Sequence, residues 1–214
     1  MILDLSKTNH IANTFIAELR DEMIQKDPMR FRKNLERLGA FFAFEISKTL
    51  AYTEIATQTP LGIAKSKVLA NQPVLATVLR AGLPMQQGLL SVFDRADCAF
   101  ITAYRKTKKS GDFIIQMEHI SAPDLTDKVV ILADPMLATG LSMVLCAKEL
   151  IHRYKIKKLH LVSAIASSEG IRHVQANLPT AQLWVGAIDE EMTSKSYIVP
   201  GLGDAGDLAF GKKL

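Results

Sequence analysis

The chain has 214 residues, 48% hydrophobic and 22% charged, with a formal net charge of +4. That is globular composition with enough apolar mass for a substantial core in one domain with an appendage, and it excludes intrinsic disorder. A sequence pI near 9.0 suits an anionic small substrate as well as nucleic acid and does not choose between them.

At the N-terminus, Asp4 and Lys7 interrupt any signal-peptide run, and no stretch of 18 apolar residues occurs anywhere, so a soluble cytoplasmic chain with no membrane contact is expected. Ile11, Phe15, Ile16, Leu19 and Met23 recur at helical spacing over residues 11–25, and Asp27-Pro28 gives an N-cap and an N1 proline for a second helix. The stripe of that helix, Phe31, Leu35, Leu38, Phe42, Ile46 and Leu50, reads as core or subunit interface. Arg30, Arg32, Lys33 and Arg37 beside it read as a solvated face. Over 58–72, Pro60, Gly62 and Pro73 break the pattern and leave a turn-rich connector with room for a short hairpin at most.

Residues 74–79 then read as a buried strand, Arg80-Ala81-Gly82 as a turn, and Pro84 as the start of a helix to Val92. Residues 99–104 form the next strand and run into the basic loop Arg105-Lys106-Thr107-Lys108-Lys109. Phe113, Ile115 and Met117 alternate with polar neighbours as a half-exposed strand paired after it. The Lys106 to Lys109 run is either a solvated charge cluster or a lid over a bound anion. Cys98 and Cys146 stand without C-x-x-C spacing and read as buried free thiols of a reducing compartment.

The chain is organised around residues 129–142. Val129-Val130-Ile131-Leu132-Ala133 reads as a buried parallel strand, Asp134-Pro135 ends it, and Thr139-Gly140-Leu141-Ser142 opens a helix. Such a junction is a phosphate seat, because first-turn N–H groups and the helix dipole face the loop. There is no G-x-x-x-x-G-K-[ST] and so no lysine for a triphosphate; a sugar phosphate fits better, with Asp134 suited to sugar hydroxyls directly or through a cation. An ordinary βα turn capped by Asp134 is the other reading of the same residues.

Beyond it, residues 159–166 and 182–188 read as strands and 168–176 as a helix. The expected fold is α/β, a mainly parallel twisted sheet with helices on both faces. The expected organisation is a single domain over 1–214, with N-terminal helices over 1–57, an α/β core over 58–189 and a terminal loop and tail over 190–214. Gly201-Leu202-Gly203-Asp204-Ala205-Gly206 matches G-x-G-x-x-G, but Pro200 precedes it and eight residues follow it, too few for a dinucleotide fold. A glycine-dense loop of this kind can instead pair its main chain with a flat heterocycle, or simply close the domain.

Four stretches together resemble the uracil phosphoribosyltransferase family of type I phosphoribosyltransferases. They are Leu79-Arg80-Ala81-Gly82-Leu83, Tyr104-Arg105, Asp134-Pro135-Met136-Leu137-Ala138-Thr139-Gly140, and the run from Tyr197 to Asp207. Weaker similarity extends from Arg20-Asp21 and Phe31-Arg32 to Gly211. The resemblance implies transfer of ribose 5-phosphate from 5-phosphoribosyl 1-pyrophosphate (PRPP) to N1 of uracil, giving UMP and pyrophosphate with Mg²⁺. It implies PRPP contacts from Arg80, Arg105 and the loop Asp134, Pro135, Met136, Leu137, Ala138, Thr139, Gly140, Leu141 and Ser142. Uracil contacts would come from Ile198, Gly203 and Ala205, with Asp204 beside both substrates; Asp204, Arg105 and Asp134 would be the catalytic set. A homodimer and GTP binding belong to the same implication, with no nucleic-acid partner. No histidine spacing suggests a protein-only metal site, so Mg²⁺ is expected to arrive with PRPP.

Three departures stand out. Leu141 replaces a usual second glycine and would cost about 1–2 kcal/mol if that position needed φ > 0. Leu208 follows Gly206-Asp207 where many members carry arginine, and the loop after Arg105 is lysine-rich where relatives often carry acids. With the basic pI, Leu141 leaves open a second class of function, a phosphoribosyltransferase-like regulator that binds nucleotides or RNA with weak turnover.

Overall fold

The computed structural model describes residues 2–107 and 113–212, and of residues 104–116 it describes no side chains. In chain order the elements are β1 (Ile2–Asp4), α1 (Ala12–Arg20), α2 (Pro28–Ser47), β2 (Tyr52–Thr59), β3 (Gly62–Leu69), β4 (Val74–Leu79), α3 (Leu83–Val92), β5 (Cys98–Thr107) and β6 (Phe113–Ser121). They continue as β7 (Val129–Ala133), β8 (Met136–Leu137), α4 (Leu141–Arg153), β9 (Lys158–Ser167), α5 (Ser168–Asn177), β10 (Gln182–Asp189), β11 (Glu191–Met192), β12 (Ile198–Val199) and α6 (Ala205–Phe210).

The main sheet runs β1-β10-β9-β7-β4-β5-β6, parallel throughout except for β6, which returns antiparallel against β5. Strand periodicity divides its side chains between two cores. Along β7, Ile131 and Ala133 join Phe31, Leu35, Leu38 and Phe42 of α2 and Met85 and Leu89 of α3. Val130 and Leu132 face the other way, onto Met143, Val144, Ala147 and Leu150 of α4 and Ile171 and Val174 of α5. Both faces are therefore covered, which is why the central strands read as unbroken apolar runs.

Asp27 caps α2 by accepting from the amides of Met29 (2.9 Å) and Arg30 (3.2 Å), with Pro28 at N1. Helices α2 and α3 touch backbone to backbone: a Cβ on Gly39 would strike the Met85 carbonyl and one on Gly88 the Glu36 carbonyl. Small residues at the crossing bring α3, and so the turn before it, close to the first core.

Several expectations need correction. The first helix stops at Arg20, and the segment 1–57 is not helical throughout: residues 2–4 form the edge strand β1, and the end of the segment runs into a hairpin. That hairpin, β2–β3, pairs eight residues on each arm, far more than a short turn. Leu50 lies beyond the end of α2. The basic cluster on α2 is engaged rather than merely solvated. Arg30 forms a two-pronged contact with Glu18 (2.7 and 2.6 Å), Arg32 donates to the Ala209 carbonyl (2.7 Å), Arg37 to Asn34 (2.9 Å), and Lys33 pairs with Glu36 (2.7 Å). Hydrogen bonds from Arg30 and then Asn34 hold the Glu18 carboxyl down to about 2. Cys146 is buried, and burial, with the Asp134 charge second, pushes its thiol up to about 12, so it is inert. Cys98 is half-buried.

His160 lies fully buried on β9, where its Nδ1 accepts from Trp184 Nε1 at 2.9 Å. Burial first, and Lys158 second, lowers its pKa from 6.5 to about 4. The folded protein therefore keeps a neutral imidazole where the unfolded chain takes up a proton; this contribution is whole above pH 6.5 and is lost as pH falls towards 4. Unfolding by urea should show about 2–3 kcal/mol less stability from this source at pH 4.5 than at pH 7. The His160→Gln protein, which keeps an acceptor for Trp184, should lack that difference. The Glu18 contribution fades only below its ordinary 4.5.

Candidate active site

The site forms at the carboxyl ends of β4 and β7, where the parallel strands separate towards helices on opposite faces. Asp134 follows β7, with its amide bonded to the Val162 carbonyl (3.0 Å) and its Oδ1 accepting from the Met136 amide (3.3 Å). The Pro135 carbonyl accepts from both Ala164 (3.1 Å) and Ile165 (3.0 Å), after which β8 resumes parallel pairing with β9. Two serines of β9 fasten this loop from beneath: Ser163 Oγ donates to the Asp134 carbonyl (2.7 Å) and Ser167 Oγ to the Ala138 carbonyl (2.5 Å).

The turn into α4 is made at Gly140, with φ of 78°, and Leu141 is the first helical residue. A Cβ on Gly140 would also approach the Gly170 carbonyl to 2.9 Å. The left-handed position is thus occupied by the glycine the chain has. Among the described non-glycine residues, positive φ occurs at Asp127 and Ser196 and not at Leu141, so the strain expected at Leu141 is absent. Its side chain is 40% exposed at the helix start.

The second wall is Arg80, which follows β4 across a cis Leu79–Arg80 peptide. Arg80 Nη2 donates to the Gly211 carbonyl (3.0 Å) and lies 3.6 Å from Asp207 Oδ1, while its Nε is buried with no hydrogen-bond partner among the described residues. The third wall is the glycine-dense segment. It enters through Ser196 (φ 61°) and Tyr197, crosses a cis Val199–Pro200 bond, and turns at Gly201 (φ 56°) and Gly203 (φ 92°). Asp204 then caps α6, accepting from the Asp207 amide at 2.9 Å. Leu208 packs against the first core, so the residue at the arginine position serves as a hydrophobic contact here.

These walls enclose one cleft of about 540 Å³, lined by Arg80, Asp134, Met136, Ala138, Ser142, Ile198, Gly203, Asp204 and Ala205 among others. The size is that of a small-ligand pocket. Of the other residues singled out in sequence, Pro135, Thr139, Gly140 and Leu141 shape the loop without lining the cleft, and Leu137 is buried in the second core. The Arg105 side chain lies outside the described residues, as do Lys108 and Lys109 of the proposed lid, while the backbone of Lys106 and Thr107 continues β5 rather than a loop. Val78, Ala103 and Ser196 also line the cleft and were not singled out; Leu79, Ala81, Tyr197 and Gly206, which join them, stood only within matching stretches. Ala103 sits at a register shift between β5 and β6, which no local sequence pattern announces.

Two carboxylates, Asp134 and Asp204, face the same space. Among the described residues no group of three His, Cys, Asp or Glu side chains could hold a metal ion. The donor set fits a divalent cation that brings its own phosphate ligands rather than one caged by protein.

The family profile for uracil phosphoribosyltransferase matches residues 6–212. The chain belongs to the uracil phosphoribosyltransferase family. The uracil phosphoribosyltransferase of Porphyromonas gingivalis is 46% identical over 214 residues, covering 100% of this chain and 99% of that protein. That of Thermococcus gammatolerans is 38% identical over 205 residues, covering 94% and 91%. Among solved structures, the AQ2163 protein of Aquifex aeolicus superposes with a TM-score of 0.88 at 28% identity, covering 99% of this chain and 98% of that one.

Within this family the Leu141 departure yields a direct test. Because the position is helical, Leu141→Gly should lower stability by about 0.5–1 kcal/mol, the cost of glycine over leucine in a helix. Chemical unfolding of the two proteins measures it, and a stabilised Gly variant would mean that Leu141 is strained after all.

Proposed function

We propose that this chain is a pyrimidine-salvage enzyme that transfers ribose 5-phosphate from PRPP to N1 of uracil, releasing pyrophosphate and forming UMP. One observation carries the reading: the strand-to-helix loop after Asp134 and the glycine-dense segment before α6, about 60 residues apart in sequence, line a single cleft. Each has the chemistry for one substrate. The amides and hydroxyls of Ala138 to Ser142 at the start of α4 suit a 5-phosphate, and the Asp134 carboxylate suits ribose hydroxyls. Main-chain groups of Ile198, Gly203 and Ala205, which line the cleft, suit the ring carbonyls and N–H of uracil.

In the reaction the ribose C1–O bond to pyrophosphate breaks, its electron pair leaves with pyrophosphate, and uracil N1 bonds to C1 as its proton is lost. The protein's task is to hold the two partners in line and stabilise the departing charge. Arg80 serves this from the β4 turn. In the same reading Arg105 contributes a second guanidinium, and Asp204, at the junction of the base and ribose regions, steadies the positive charge that develops on the sugar. Asp134 and Asp204 are the carboxylates that would hold a Mg²⁺ arriving on PRPP, and the bound ion would supply neutralisation of the pyrophosphate charge.

The regulator reading rested on Leu141 together with the basic pI, and Leu141 is an unstrained first helical residue. In the assembly we favour, a homodimer in the cytoplasm, the hairpin β2–β3 reaches a second copy: its tip carries Leu61, 100% exposed, and Ile63, 73% exposed.

The test is pyrophosphate release with PRPP, Mg²⁺ and each of uracil, cytosine, hypoxanthine and orotate in parallel. Uracil should turn over, with the other bases below about one-hundredth of its kcat/KM. Chelation of the metal should abolish the reaction. Equal or faster turnover of hypoxanthine would reassign the base site. Asp204→Asn should lower kcat for uracil by about 10²-fold or more with the protein still folded; unchanged kcat would remove Asp204 from the catalytic set.

A further inference from the structure

The glycine-dense wall is held from behind by groups that do not line the cleft. Arg20, the last residue of α1, donates from Nη1 to Asp189 Oδ2 (2.8 Å) and from Nη2 to Asp189 Oδ1 (2.7 Å). The same Nη1 donates to the Gly201 carbonyl (2.9 Å), and the Gly201 amide donates back to Asp189 Oδ2 (2.9 Å). Helix α1, the end of β10 and the turn of the glycine-dense segment thus meet in one closed ring of four hydrogen bonds. Asp189 is buried, and the Arg20 side chain is 23% exposed.

Gly201 is where the segment reverses. With φ of 56° and no room for a Cβ beside the Ile198 carbonyl, the turn folds back onto Ile198, the first of the three residues that face the base. Gly203 and Ala205 follow within four positions. The phosphate loop is fastened independently, by Ser163 and Ser167.

We propose that Arg20 and Asp189 are positioning residues for the pyrimidine: their ion pair fixes the Gly201 turn and thereby the main-chain atoms of Ile198, Gly203 and Ala205, while the loop after Asp134 keeps its own fastening to β9. This rests on the function proposed above. Three N–H bonds from one planar guanidinium to a carboxylate and a carbonyl are a fork that an ammonium cannot reproduce, so the site requires arginine and not just a positive charge. A main-chain pocket has no side-chain freedom with which to absorb a displaced turn, and a shift of about 1 Å can cost about 10² in rate.

Steady-state kinetics of Arg20→Lys, Arg20→Ala and Asp189→Asn test it, each checked for wild-type secondary structure. The expected result is a rise of about 10-fold or more in KM for uracil, with KM for PRPP within about twofold of wild type. Guanidinium ion added to Arg20→Ala should restore the uracil KM, and sodium chloride of equal ionic strength should not. Should Arg20→Ala fail to fold, Arg20→Lys carries the same comparison. Equal rises for both substrates, or an unchanged uracil KM, would overturn the proposal. A wild-type enzyme inactive on uracil would overturn the function instead, and amide hydrogen exchange in Arg20→Lys then decides this inference. Faster exchange over residues 198–205 with 138–142 unchanged supports it; uniform acceleration or no change refutes it.

Discussion

Arg20 and Asp189 stand 169 residues apart, and their two-pronged contact, closed through both backbone groups of Gly201, ties the start of the chain to its end. A largely buried ion pair repays the loss of hydration as further donors and acceptors are satisfied, and here the peptide of Gly201 adds one of each. The shape of the glycine-dense wall of the cleft follows from this constraint. That glycine-dense wall is a segment of turns with little regular structure of its own, so its shape depends on what grips it. The ion pair grips one end and the Asp204 cap of α6 the other.

The opposite wall is made differently. Four of the five apolar residues of β7 lie buried in the sheet, and the loop that follows is bolted to β9 by serine hydroxyls and to α5 through Gly170, whose missing Cβ lets α5 abut the carbonyls of Leu137 and Ala138. A strand-to-helix loop fastened to β9 beside a separately braced glycine-dense wall suits the proposed displacement, which needs alignment more than covalent help. Arg80 lies between them, its guanidinium already engaged by the Gly211 carbonyl and the Asp207 carboxylate at the end of the chain.

Much of this was legible in the residues themselves. The β7 run, the Asp134 turn and the proline-started helices α2 and α3 are local patterns whose cause lies within a few residues, and they appear where expected. The hairpin β2–β3 was underestimated because its strands are mostly exposed and bury no face, so hydrophobic alternation does not signal it. Strand β1 is three residues long, and its reason for existing is the edge of β10. The arginines of α2 looked solvated because their partners, Glu18 and the Ala209 carbonyl, are remote in sequence. The Arg20–Asp189 pair was invisible for the same reason: nothing around either residue marks it.

In the proposed reaction one ligand, the product UMP, touches both walls at once. Titration of isotopically labelled protein with UMP, followed through backbone amide resonances, tests it most directly. The amides of residues 138–142 and those of Gly203 and Ala205 should shift together along one binding curve. Shifts confined to one wall, or two curves of different midpoint, would contradict the account.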